Sequence, residues 1–220
     1  MVAARLRSSA AVDRAARWIG DGRRLDLQGL ADELGVSRTT LFRQVGTRDR
    51  LLGEALWLLT DRTLHYAVRR WERERPPGVL RSVGVGRHMN ALVAQSSALR
   101  RLLDDEPALT IRVLTDPQGS VQPRVVSFVE AILRSDMTEF GFEPLIAPND
   151  LAFALVRIGE AFLYADVLAA RRPDVASADR LQQALLEGST QPRPHDGLSP
   201  GRPALRPDTL FGTTSAVGTS

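Results

Sequence analysis

No cysteine occurs in this 220-residue chain, which excludes a disulfide framework and any thiolate metal site and makes a reducing cytoplasm the expected location. Lysine is missing too, so all 29 cationic side chains are arginine. Two readings fit: a preference for bidentate phosphate contacts, or a codon bias toward G and C acting on composition as a whole. The pI of 10.3 inherits the same arginine effect. No apolar run approaches the roughly 20 residues that span a bilayer, and MVAARLRSSA at the N-terminus is basic without the apolar core of a signal peptide. No membrane partner is expected. Catalytic signatures are sparse as well. There is no G-x-S-x-G elbow and no phosphate-cradling G-x-x-x-x-G-K, and His65, His88 and His195 are widely scattered. Gly84-Val85-Gly86 has Met89 where a dinucleotide fingerprint wants its third glycine, so it reads as a helix start or kink. An enzyme is not expected, nor a cofactor or a metal.

What is present is an ordinary globular composition, 43% hydrophobic, with an uneven charge. Residues 1–75 carry 15 arginines against 10 acidic residues, whereas residues 76–220 carry 14 against 16. The front of the chain is therefore the part that would feel a polyphosphate. Within it, LQGLADELGVSRTTLFRQVGTRDRLL reads as two short helices around a tight turn, followed by a longer one. Leu27, Leu30, Ala31 and Leu34 recur at helical spacing, Gly35 stops the first helix, and Ser37 is placed to cap the second. Leu41 and Val45 then face inward. Arg38, Thr39, Thr40, Arg43 and Gln44 supply guanine-, adenine- and thymine-reading chemistry to a helix able to enter a major groove. An ordinary helical hairpin with solvated charges has the same spacing.

From Ala10 to about Trp57 the pattern resembles the TetR family of bacterial transcription regulators. Gly35, Val36, Ser37, Thr40 and Leu41 match its GVS-x-x-TLY-x-x-F segment as they stand. Phe42 replaces the usual tyrosine, Val45 the usual phenylalanine, and Arg48 takes the place of a lysine near the start of the fourth helix. The resemblance implies base or groove contacts from Gln28, Arg38, Thr39 and Arg43, and phosphate contacts from Ser37, Thr40, Gln44 and Arg48. Phe42 lacks the phosphate-bonding hydroxyl and reads as packing or as a thymine-methyl contact.

Strand signals are scarce beyond this segment, and the expected fold is all-α: an N-terminal three-helix helix-turn-helix domain joined by a long helix to a C-terminal helical ligand-binding and dimerisation bundle. The long helix is expected from Arg48 to Glu74, ending at Pro76-Pro77. Further helices are expected over Val79–Gln95, Ala98–Leu103, Ala108–Leu114, Val121–Phe140, Asn149–Arg171, capped by Asn149-Asp150, and Ala178–Glu187. The domains are expected at 1–50 and 51–188, with a disordered Pro-, Gly- and Ser-rich tail over 189–220 in which Phe211 could dock transiently on the body. LAFALVRIGEAFLYADVLAA is apolar almost all round, and Leu181, Leu185 and Leu186 add a stripe. Either this helix is central in a monomer, or its surplus face meets a second copy; in TetR-like proteins the last two helices form such a two-fold interface. The partners implied are double-stranded operator DNA, a small-molecule effector and a second copy of the chain.

The segment from Trp71 through Leu133, with the later ALVRIGEAFLYADVLA, resembles the ligand-binding domain of QsdR-type members of that family, a subgroup linked to lactone signals. The resemblance implies a ligand-responsive repressor whose effector is a γ-butyrolactone or acyl-homoserine lactone; a drug or fatty acyl-CoA effector is the alternative. In a mostly apolar pocket few polar groups orient a ligand. Arg87, His88, Asn90, Arg112, Arg157, Glu160 and Tyr164 are the candidates, with Met89, Phe128, Phe153 and Phe162 as walls. Each has a plainer reading. His88 can be a surface or satisfied core histidine, Arg157 and Glu160 have the spacing of an intrahelical ion pair, and Met89 and the phenylalanines can be core. A hydrolase acting on the same lactones would need a metal cluster or an activated nucleophile, and neither is visible.

Overall fold

Capping hydroxyls and first-turn prolines set six of the eleven described helix starts in the computed structural model, which describes residues 2–188, with side chains from residue 9 onward. Among the described residues there are eleven helices and no strand: α1 (Val2–Gly20), α2 (Leu27–Glu33), α3 (Arg38–Val45), α4 (Arg48–Glu74), α5 (Arg81–Ala94), α6 (Ser97–Asp105), α7 (Pro107–Thr115), α8 (Gln122–Phe140), α9 (Pro148–Leu163), α10 (Ala165–Ala169) and α11 (Val175–Gly188). The expected tail over 189–220, Phe211 included, lies outside the described residues.

Helices α1 to α3 form the head. Ala11, Ala15, Ala16, Trp18 and Ile19 of α1 bury themselves against Leu30 and Ala31 of α2 and Leu41 and Val45 of α3. The Trp18 indole donates to Glu33 Oε2 at 2.8 Å, tying α1 to the end of α2. Gly35, at φ +65, turns the chain between the two short helices, a conformation glycine adopts without steric cost. Helix α4 starts at a Thr47 cap, whose hydroxyl accepts from Arg50 N at 3.2 Å, and stops before Pro76-Pro77, as the sequence predicts. The apolar cluster of the head continues along α4 through Leu51, Leu52, Ala55 and Leu56 to Leu102, Leu103 and Leu114 in α6 and α7. One cluster thus joins head and body.

Where boundaries differ from expectation, proline explains two of them. Pro107 and Pro148 do not merely punctuate: each occupies the first turn of a helix, where its missing N–H is no loss and its fixed φ suits the helix. Helix α9 therefore begins at Pro148, with Asn149 and Asp150 inside its first turn instead of capping it. The single helix expected over Asn149–Arg171 is also interrupted. At Tyr164 (φ −110, ψ 23) the chain leaves helical geometry, and α10 ends at Ala170 in the left-handed region, φ 51. Leu163, Tyr164 and Ala165 are all buried. Three successive side chains fan out around a regular helix of 3.6 residues per turn, so the break is what lets all three turn inward.

Helix α5 is started from outside. It has no side-chain cap of its own; instead the carboxylate of Asp136 in α8, 0% exposed, accepts from Arg81 N at 2.9 Å and Ser82 N at 2.8 Å. The Arg81 guanidinium then bonds Glu72 and Glu139, each at 2.9 Å, and so binds α4, α5 and α8 together. Burial pushes the Asp136 carboxyl above its ordinary range, with the N–H donors opposing it.

Candidate functional site

Helix α3 presents one face to the core and the other outward. Leu41 and Val45 are buried, whereas Arg38, Thr39, Phe42 and Arg43 are exposed and Thr40 and Gln44 are half-buried. The Ser37 hydroxyl accepts from Thr40 N at 3.1 Å and lies 2.9 Å from the Thr40 hydroxyl, so Ser37 and Thr40 are joined at the helix start. Phe42 is 53% exposed at the centre of that face, an apolar ring that the protein itself does not cover. Gln28, on the neighbouring α2, is exposed and donates to Asp32 Oδ1 at 2.8 Å. The sequence reading passed over Asp26, whose carboxylate caps α2 by accepting from Gly29 N at 2.7 Å and Gln28 N at 3.2 Å. The Gly29 and Gln28 amides hold its carboxyl below the usual value. An acidic residue directly before LQGL was the available signal.

Arg48 is placed differently from the phosphate contact that the resemblance implies. Its Nε donates to the Leu25 carbonyl at 2.8 Å, and Nη1 and Nη2 reach the two oxygens of Glu106 at 2.9 and 2.6 Å. The guanidinium is thereby engaged with the α1–α2 loop and with the start of α7. Arg24 adds a longer contact to Glu106 at 3.3 Å. The Arg48 hydrogen bonds hold the Glu106 carboxyl below its ordinary value. Glu106 was not singled out in the sequence, because nothing near it announces a partner 58 residues away.

In the body, a cavity of about 200 Å³ is lined chiefly by α4, α5, α8, α9 and α11. Most of its wall is aliphatic, including Leu59, Leu64, Val85, Val125, Val129 and Leu155. Of the residues expected there, Arg87, Met89, Asn90, Glu160 and Tyr164 line it, and the other six lie elsewhere. His88 Nε2 is 3.2 Å from Glu74, Arg112 pairs with Asp49 at 2.6 Å on the surface, and Phe128 packs edge-on against His65. Phe153 and Arg157 are exposed and Phe162 is half-buried.

Glu160 is the unusual wall residue, a carboxylate only 9% exposed. Gln122 Nε2 donates to both of its oxygens, at 3.1 and 3.2 Å, and Arg157 Nη1 donates to Oε2 at 2.6 Å. Burial pushes this carboxyl upward from its usual value, with Gln122 and Arg157 pulling the other way. Burial, and then the nearby Glu160 charge, raises the Tyr164 hydroxyl as well. A second polar group links α5 to α11: Asn90 Nδ2 donates to Asp179 Oδ1 at 2.7 Å and to Gln182 Oε1 at 2.8 Å. Gln122, Asp179 and Gln182 escaped the sequence reading because an isolated polar residue on an amphipathic helix looks like any solvated one. Among the described residues no three histidine, aspartate or glutamate side chains gather as a metal site would require, and no helix is long and apolar enough to cross a membrane.

Residues 77–187 match the family described as the tetracyclin repressor-like C-terminal domain. Among solved structures the chain is similar to the transcriptional repressor QsdR of R. erythropolis, from the TetR family. The two are 33% identical, the match covers 86% of this chain and 98% of that one, and the TM-score is 0.75. Comparison with curated proteins returns no match.

Proposed function

Because the chain belongs to the TetR family of transcription regulators, we propose that it works as a homodimeric repressor, released from its operator when a small amphipathic effector, a γ-butyrolactone or acyl-homoserine lactone, enters the cavity of the body. It is a ligand-responsive DNA-binding regulator and not an enzyme. The observation that carries the finer reading is the course of α4. Its first turn follows the recognition helix directly, and Leu56, Leu59, Thr60, Thr63 and Leu64 further along it form part of the cavity wall. A molecule in that cavity therefore touches the same rigid element on which the head is mounted. It can bias the head only by binding one arrangement of α4 more tightly than another.

In this reading Arg38, Thr39 and Arg43, with Gln28 beside them, read base edges, while Ser37, Thr40 and Gln44 meet phosphates and Phe42 packs against a thymine methyl group. Dimerisation uses the outward face of α9 and α11, where Phe153 is 50% exposed and Leu181 46% exposed. It sets two recognition helices on adjacent half-sites. The test is a salt-titrated binding assay of the purified protein against the DNA upstream of its own gene and a scrambled duplex, repeated with a panel of lactones. Preference for the native duplex that a lactone abolishes is the expected result. Specific binding indifferent to every lactone would discard the effector class, and equal binding to both duplexes would discard the operator reading.

A further inference from the structure

The cavity in the body reaches the head. Ile19, near the end of α1, stands in its wall with Leu56, Leu99, Leu114 and Leu163, and all five belong to the apolar cluster that joins head and body. The wall follows α4 from Leu56 to Leu64 and α5 from Ser82 to Val93, roughly 12 and 16 Å of helix at 1.5 Å per residue. The space is therefore elongated along these helices. Ile19 and Leu56 mark one end; Ser82 marks the other, where Arg81 is bonded to Glu72 near the end of α4. Asn90 and Glu160 stand between them, Asn90 Oδ1 lying beside Gly159, the neighbour of Glu160. The two ends differ in polarity. Among the described residues the Ser82 hydroxyl is buried without a hydrogen-bond partner, and a hydrocarbon packed there would leave it so, which is unfavourable. At the head end Ile19, Leu56, Leu99 and Leu114 offer only hydrocarbon. An amphiphile thus fits with its polar part between Ser82 and Glu160 and its chain toward Ile19.

Resting on the reading of this cavity as the effector site, we propose that Ile19 is a sensor of chain length: an effector releases DNA only when its hydrocarbon end runs far enough to press on Ile19 and move α1. Ile19 is buried, and a protein interior is packed about as densely as an organic crystal, so no slack absorbs the push. Ala11 and Ala15 of the same helix share a cluster with Leu41 and Val45 of α3. A shift of α1 therefore reorients the exposed face of α3. A shorter amphiphile occupies the same cavity and touches α4 but leaves α1 where it is, and so binds without releasing DNA. Affinity and release become separate properties: affinity grows with every methylene buried, whereas release sets in at one length.

γ-Octalactone, γ-decalactone and γ-dodecalactone, which differ only in alkyl length, test this on the full chain. Calorimetry is expected to show affinity rising roughly fourfold per methylene. With each lactone at saturation, release from the preferred upstream duplex is expected to be slight for the shortest member and complete for the longest. Amide hydrogen exchange in α1 is expected to change only with the members that release. Ile19→Ala deepens the head end, so release by γ-dodecalactone is expected to fall severalfold while its binding persists. Should that variant fail to fold, α1 exchange in the unaltered protein decides. Equal release by every member that binds, or α1 exchange that no bound lactone changes, overturns the length sensor and leaves the lactone reading standing. Binding by none of the three overturns both.

Discussion

Arg48 and the arginines of α3 differ in what their charge is available for. Arg38 and Arg43 are exposed on the outward face of α3, whereas Arg48 is shared between Leu25 and Glu106. Arg38→Ala or Arg43→Ala is expected to reduce discrimination between operator and random duplex by about 1–3 kcal/mol for each lost base contact, read from competition binding at fixed salt. Equal losses on both duplexes would refute a base-reading role. Arg48→Ala should instead leave the salt dependence of random-duplex binding unchanged and lower stability, because Leu25 O loses its donor and Glu106 keeps only the distant Arg24. The pairing also predicts an acid response. The Glu106 carboxyl sits below its ordinary value of 4.5 in the folded protein, so its contribution is complete above that pH and is lost as pH falls through the depressed value. Unfolding followed between neutral pH and pH 3 should show this loss in the unaltered protein and a shallower one in Arg48→Ala. Identical profiles would mean that the pair adds nothing to folding. The sequence shows a cation at position 48 but not what it meets, since Glu106 arrives through the fold.

Among the elements, those whose ends are decided locally were legible and those decided at a distance were not. Ser37, Gly35 and Pro76-Pro77 each act within one turn of where they stand, and α3 and α4 follow the expected limits. The start of α5, expected at Val79 and found at Arg81, is fixed by Asp136, more than fifty residues further along, so the local pattern brings it close without naming its cap. Gly84, expected as a helix start or kink, lies in the first turn of α5 for a reason that only the packing reveals. A Cβ built there would lie 1.8 Å from Trp71 Cδ1, on α4. Glycine is what allows α5 to close on the indole. Gly84→Ala is therefore expected to cost about 1–3 kcal/mol through overpacking, visible as a drop in Tm of roughly 2–4 °C for each kcal/mol in a protein of this size. An unchanged Tm would show that α4 and α5 can slide apart at no cost. In the cavity, Glu160 was legible because a charge stands out within the apolar run of α9, whereas Gln122, Asp179 and Gln182 gain their meaning only from the partners that the bundle brings to them.

For the whole molecule, the surplus apolar face of the last long helices was legible from sequence, because one bundle cannot bury a helix that is apolar all round. Leu181→Glu places a charge on that face without weakening α11, glutamate being a good helix former. Light scattering is expected to give the mass of a single chain, with helix content unchanged and specific operator binding lost. A mass of two chains would move the dimer interface elsewhere. The joint between head and body has a practical consequence of its own. Leu25, Arg48 and Glu106 form one hydrogen-bonded unit across a continuous apolar cluster, so the head is not a cassette to be exchanged at the start of α4. A chimera that grafts this head onto another regulator's body would strand Arg48 opposite a stranger's surface. Hybrid sensors built from this protein should therefore carry the Glu106 corner along with the head.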